Sequence, residues 1–284
     1  MIKPLATQYP VETLCRVLEV TRSGYYQWRH KAPGPRANAN QQLLEHVQRV
    51  FAQSRQTYGS PRITRQLQRQ QIPCSQNRVA GLMRRHNIRA KSKRPFRPRT
   101  TQSRHLNGIA PNRLKQLPAI SRVNQTWVAD ITYISTAGGW IYMAAVMDLY
   151  SRKILGWSVG YTLHSTLVKE ALQQALAMRR PAAGLLHHSD RGTQYASSAF
   201  RALLHSHQVV PSMSASGHCY DNAAMESFWS TLKTELIHQR TFDDLPQARL
   251  ALFEYIEIFY NRQRLHSALG YKSPVEFEEQ LTYK

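Results

Sequence analysis

The stretch QTWVADITYIS, residues 125–135, decides the fold. It is rich in β-branched and aromatic residues, and a single aspartate, Asp130, sits among apolar neighbours. Such a run reads as a strand. Strand alternation puts Val128, Asp130 and Thr132 on one face, with Trp127, Ala129, Ile131 and Tyr133 on the other. A carboxylate inside an apolar strand is expensive unless it is paired or holds a metal.

The segments that follow keep the same kind of pattern. GWIYMAAVMDLYS (139–151) is a second strand across the turn at Gly138-Gly139, and RKILGWSVGYT (152–162) is a third. STLVKEALQQALAMRR (165–180) is a helix with Ser165 as candidate cap. GLLHHSD (184–190) is a short strand that ends on Asp190, with Arg191 and Gly192 directly after it. SSAFRALLHSHQ (197–208) is a helix, VVPSMS (209–214) a strand, and DNAAMESFWSTLKTELI (221–237) a long amphipathic helix. The order β-β-β-α-β-α-β-α predicts an α/β domain with a mixed five-stranded sheet flanked by helices. On that last helix Asp221 is a candidate N-cap. Met225, Phe228, Trp229, Leu232 and Leu236 are expected to face the core.

The first hundred residues differ. They hold 20 of the 38 Lys and Arg residues but only three of the 17 acids, and all six aspartates lie beyond them. The formal net charge of the chain is +21. So lopsided a front calls for a polyanionic partner, most simply nucleic acid. Its periodicity predicts short helices: VETLCRVLEV (11–20), broken by Gly24 in TRSGYYQWR, then NQQLLEHVQRVFAQS (40–54). YGSPRITRQLQRQ (58–70) starts a helix with Ser60 as cap and Pro61 at its first position, and PCSQNRVAGLMRRHN (73–87) starts another with Ser75 as cap. Two short helices across a tight turn fit a helix-turn-helix. Arg62 and Arg65 on the first helix and Arg78, Arg84 and Arg85 on the second are the candidate DNA contacts; a plain solvated basic helix is the competing reading. The expected boundaries are a helical region 1–90, a basic proline-containing linker 91–121, and the α/β part with its C-terminal helices, 122–284.

Three dispersed cysteines, Cys15, Cys74 and Cys219, argue against a disulfide framework or a zinc site. No apolar run approaches the roughly 18 residues of a membrane span, so a cytoplasmic protein without a membrane partner is expected.

Asp130, Asp190 and Glu226 would together form a hard-oxygen site suited to magnesium or manganese. His187 and His188 stand near Asp190 and are expected to pack or support. Asp148, at the end of an apolar run, is a rival acid.

Thirty-five residues separate Asp190 from Glu226. The trio and its spacing resemble the Asp-Asp-Glu signature of transposases and retroviral integrases. The longer words WVADITYI, HHSDRGTQYAS, SMSASGHCYDNAAMESFWSTLKTEL and YNRQRLHSALGYKSPVEF resemble OrfB-type transposases of the IS-three family of bacterial insertion sequences, as do TRSGYYQWR and YGSPRITRQL in the front part. The resemblance covers nearly the whole chain. It implies an RNase H-like catalytic domain in which the three acids hold Mg²⁺ or Mn²⁺, two ions in all. It further implies cleavage at element ends followed by attack of the freed 3′-OH on DNA. Asp130 would be the ligand shared by both ions, and Lys233, two turns after Glu226, would lie near terminal DNA. The implied partners are duplex DNA (terminal inverted repeats and target), further copies of the chain on that DNA, and an upstream-frame OrfA protein or fusion. Asp148 would be structural. The zinc-binding His-His-Cys-Cys module of retroviral integrases has no counterpart. The alternative function is a sequence-specific DNA-binding regulator with an inactive integrase fold. At the C-terminal end, Tyr255, Ile256, Phe259 and Tyr260 fit an amphipathic helix, while Arg262, Arg264 and His266 either contact DNA or cap and solvate its end.

Overall fold

The computed structural model describes residues 2–30, 34–91, 109–117, 119–214 and 222–282. Six helices come first: α1 (Ile2–Leu5), α2 (Val11–Val17), α3 (Arg22–His30), α4 (Pro35–Gln53), α5 (Ser60–Arg69) and α6 (Gln76–Arg85). Strands β1 (Thr126–Thr136), β2 (Gly139–Asp148) and β3 (Ile154–Gly160) follow, then α7 (Ser165–Arg179), β4 (Leu186–Ser189), α8 (Ser198–Ser206), β5 (Val210–Met213) and α9 (Ala223–Glu235). The chain ends with α10 (Leu245–Phe253), a π-helical stretch over Glu254–Tyr260, and α11 (Pro274–Thr282). Among the described residues no helix is long and apolar enough to cross a membrane.

The sheet runs in the order β3-β2-β1-β4-β5. β1, β2 and β3 form an antiparallel meander, whereas β4 pairs parallel to β1 and β5 parallel to β4. The mixed five-stranded sheet expected from the sequence is therefore present, in the expected order. Both of its faces are covered. Trp127, Ala129, Ala144 and Leu155 pack against α7 and α8 through Leu172, Ala175 and Phe200. Val128, Met143, Ala145 and Met147 pack against α9 and the π-helical stretch through Met225, Phe228, Leu232 and Phe259. Helix α7 lies so close to the sheet that a Cβ on Gly156 would meet the Ala171 carbonyl at 2.1 Å, so only glycine fits there.

Helices α4, α5 and α6 do not stand apart. Val47, Ile63, Leu67 and Val79 belong to the same continuous apolar cluster as the α9 face of the sheet. Polar contacts fix the junction: the Tyr58 hydroxyl donates to the Gln263 carbonyl (3.2 Å) and accepts from the Leu265 N–H (2.8 Å).

Several local expectations change. Helix α3 runs straight through Gly24; the Gly24 N–H bonds Thr21 Oγ1 at 3.1 Å, so this glycine marks the capped start of a helix, not a break. Gly59 and His164, not Ser60 and Ser165, are the N-cap residues of α5 and α7. Ser75 does cap α6, accepting from the Arg78 N–H. Asp221, Cys219 and most of the 91–121 linker lie outside the described residues.

His187 on β4 is almost fully buried against Tyr195 and Phe200, and its Nε2 has no hydrogen-bond partner. Burial, with His188 next to it, pushes its pKa down to about 3. The sign follows from linkage: the unfolded imidazole takes a proton below about pH 6.5 and the folded one does not, so stability falls as pH drops from about 6.5 toward 3. Urea unfolding at pH 7 and pH 4.5 is expected to show that His187→Leu loses less stability on acidification than the wild type, by about 2 kcal/mol. Equal acid losses in the two proteins would contradict it.

Candidate active site

The site begins with register. β1 and β4 are parallel, with Val128 opposite His188. Asp130 and Asp190 each lie two residues further on, so they emerge side by side where the two strands end their pairing, with strand axes about 5 Å apart. Helix α9 crosses above them. The Asn222 side-chain amide donates to the Ala129 carbonyl (3.3 Å) and pins the start of the helix to β1. One turn after Glu226, the Trp229 indole N–H donates to Asp130 Oδ2 (3.0 Å). Glu226 and Trp229 share a helix face, so Glu226 is delivered to the same end of the sheet and is solvent-exposed there.

Each aspartate is held by a backbone N–H close to it in sequence. Asp130 Oδ1 accepts from the Ile131 N–H at 2.8 Å. Asp190 Oδ1 accepts from the Gly192 N–H at 2.9 Å. A Cβ at Gly192 would sit 3.0 Å from that same oxygen, so glycine lets the turn close on the carboxylate. Arg191 points elsewhere, its Nε donating to the Ser214 carbonyl (2.7 Å).

Electrostatics single out Asp130. Its pKa is pushed up to about 7, first by burial, then by Asp190, with a smaller push from Glu226; the Ile131 N–H and the Trp229 indole act the other way. A buried acid whose ionisation is opposed by two other acids makes a place where a cation is favoured. Among the described residues next to Asp190, the two histidine rings of β4 are already engaged. Both His188 ring nitrogens face hydroxyls, of Ser212 (2.9 Å) and Ser214 (3.1 Å), and His187 is packed among aromatic rings. The donor set is therefore carboxylate oxygen, which suits a hard divalent cation. Among the described residues no group of three side chains is already closed to metal-binding distance. The carboxylates converge but stand open. Asp130, Asp190, Tyr133, Tyr142 and Gln194 line a cleft of about 390 Å³ there.

Residues 120–219 and 207–274 match models of the integrase core domain, and residues 38–96 match an HTH-like domain. The chain is 42% identical over 266 residues to the "Insertion element IS600 uncharacterized 31 kDa protein" of Shigella sonnei, covering 94% of this chain and 97% of that one. It is 41% identical over 275 residues to "Transposase InsF for insertion sequence IS3A" of Escherichia coli (strain K12), covering 95% and 94%. The chain belongs to this family of insertion-sequence transposases. Among solved structures, a simian T-cell lymphotropic virus intasome aligns over 81% of this chain and 73% of that one, at 15% identity and a TM-score of 0.46.

The remaining sequence candidates are spread over the molecule. Lys233, two turns beyond Glu226, is half-buried with its Nζ 4.5 Å from the centre of the Tyr133 ring. Burial lowers its pKa and the neighbouring Asp130 opposes that. Asp148 is structural: fully buried, it accepts from the N–H groups of Asn124, Tyr150 and Ser151 and so shapes the β2–β3 turn. Of the five front arginines, Arg65, Arg84 and Arg85 are exposed. Arg62 and Arg78 are turned inward, their Nε atoms donating to the Leu265 carbonyl (2.8 Å) and to Asn40 Oδ1 (2.8 Å). Arg264 is not solvated; it is buried against Glu235. His266 is buried too, whereas Arg262 is exposed. Trp229 was expected only in the core. Its role as donor to Asp130 had one sequence signal, the three-residue spacing from Glu226.

Proposed function

We propose that Asp130, Asp190 and Glu226 are the catalytic carboxylates of this transposase and that they hold two divalent ions, Mg²⁺ or Mn²⁺. The observation that carries this is that Asp130 and Asp190 each follow the last β1–β4 pair by two residues, beneath the helix face of Glu226. When bound, such ions lower the pKa of an attacking water or hydroxyl and stabilise the leaving 3′ oxygen of a phosphodiester. The chain's own residues do the rest. Trp229 and the Ile131 N–H fix the two Asp130 oxygens, and the Gly192 N–H fixes Asp190. Asp130, on which both other acids act, would be the residue that holds both ions. The cleft beside Tyr133, Tyr142 and Gln194 admits the DNA strand, and Lys233 meets a phosphate near the cut. Arg65, Arg84 and Arg85 hold flanking duplex, on a helical region 1–90 joined through 91–121 to the catalytic part 122–284. The reaction is cleavage at the ends of the element and attack of the freed 3′-OH on target DNA. It runs with several copies on the DNA, and with an upstream-frame OrfA protein or fusion.

The test is a labelled oligonucleotide carrying one terminal repeat, incubated with the full chain and Mg²⁺ or Mn²⁺. Nicked and joined strands are the expected products. Specific binding without either product, even with upstream-frame protein added, would favour a regulator that only binds.

A further inference from the structure

A second basic site lies on another face of α9. Arg62 from α5, Arg152 from the β2–β3 turn, and Arg264 and His266 from the C-terminal segment converge on a pocket of about 290 Å³. Ser227 and Thr231, one turn apart on α9, offer hydroxyls to it. These basic groups come from three distant parts of the chain, so the pocket exists only because α5 docks on the catalytic part. Their charge is poorly compensated. Glu235 pairs with Arg264, but among the described residues no carboxylate forms an ion pair with Arg62 or Arg152. His266 is about nine-tenths buried, its ring lies edge-on to Tyr260, and its Nε2 has no hydrogen-bond partner among the described residues. Burial and the three arginines together hold this imidazole well below its ordinary pKa, which means that all three act on one ring. A buried ring nitrogen without a partner among the described residues, set beneath Arg62 and Arg152, suits an anionic ligand.

We propose that this pocket binds a backbone phosphate of the DNA on which the transposase acts. Guanidinium groups and hydroxyls suit phosphate oxygens, and an anion there stabilises the imidazolium, whose Nε2–H then donates to it. Ser227 follows Glu226 directly, so a strand anchored here is tied to the helix that carries the third catalytic acid. Arg62 thus acts on DNA from this pocket and not from a major groove. The inference rests on the DNA-cutting reading above, and the experiment keeps the two apart.

Binding of a terminal-repeat duplex is measured across a salt series for the full chain. Arg152 has a left-handed backbone (φ 62°), which asparagine tolerates, so Arg152→Asn is the first variant. Thr231→Glu, which places a carboxylate in the pocket, is the second. Both are expected to keep the wild-type melting temperature within a few degrees. Each should lower the slope of log K against log salt by about 1 and weaken binding roughly 3- to 10-fold, alike for specific and nonspecific duplex. Arg180→Asn is the control: Arg180 is also left-handed (φ 43°) but lies with Leu186 at the opposite end of β4 from Asp190, and its slope should match the wild type. Unchanged slopes in the two pocket variants, or an equal fall in the control, would overturn the proposal. So would a melting temperature raised by inorganic phosphate and lost in Thr231→Glu while the DNA slopes stay fixed, which would assign the pocket to a free anion. Failure of the wild type to bind DNA at all would instead remove the functional reading itself.

Discussion

Asp130→Asn, Asp190→Asn and Glu226→Gln are each expected to lower strand cleavage and strand joining at least 10³-fold, about 4 kcal/mol of barrier, while leaving DNA binding intact or tighter. The replacements keep size and shape, so the fold has no reason to change. What they remove is negative charge from a site proposed to hold cations and then accept a phosphodiester. Without the cation the same charge repels DNA, so its loss favours binding as it abolishes chemistry. A merely structural aspartate behaves differently: its amide variant loses stability and retains catalysis in whatever fraction folds. Asp130 allows a sharper separation. Its folded pKa is about 7, above that of an unfolded aspartate, chiefly through burial and then through Asp190. An acid shifted upward stabilises the fold below about pH 4, and that contribution is lost as pH rises through about 7. In chelator at pH 8, Asp130→Asn should therefore melt higher than the wild type, by a few degrees, and the gap should close near pH 4. Divalent metal should raise the melting temperature of the wild type and not of the variant. Residual cleavage within tenfold of wild type in any of the three variants would remove that residue from the catalytic set.

Much of the site was readable because its signals are local. Asp130 interrupts an apolar alternating run, Asp190 ends another just before a glycine turn, and Glu226 sits early on an amphipathic helix; each can be found without knowing its neighbours in space. The order of strands and helices followed from the same periodicities, and the β1–β4 parallel pairing then follows from the connection through α7. The missed features depend on long-range contact. Tyr58 and Arg62 meet residues about 200 positions away, Gln263 and Leu265, and no periodicity encodes that meeting. The exposed-looking arginines of the front part were therefore assigned to one groove, although two of them are turned inward. Gly24 misled for the opposite reason: glycine breaks helices on average, but its N–H can also take the cap at a helix start. Trp229 shows how a residue apolar by type is taken for core when its one polar atom is what positions Asp130.

Glu235→Ala is expected to be strongly destabilising, costing about 3–5 kcal/mol, or roughly 10 °C in melting temperature for a chain of this size. Arg264 lies buried with its Nε and Nη2 atoms on both Glu235 oxygens, at 2.7–3.1 Å. The Tyr255 hydroxyl donates to the same carboxylate at 2.7 Å. Removing Glu235 strands a guanidinium and a phenol without water to replace the lost partner. The pair also joins α9 to the segment after the π-helical stretch, the segment on which Tyr58 and Arg62 dock. Arg264→Met leaves the opposite charge stranded and should cost a similar amount. The double replacement Glu235→Leu with Arg264→Met removes both charges and should recover most of the loss, because a buried ion pair contributes little beyond offsetting its own desolvation. DNA binding separates the two roles of Arg264. If it serves the phosphate pocket as well as the fold, the double variant regains its melting temperature but keeps a shallower salt slope than the wild type. Urea unfolding and the salt series measure these two quantities independently. A double variant no more stable than the single ones would mean that the pair specifies the junction geometrically, beyond balancing charge.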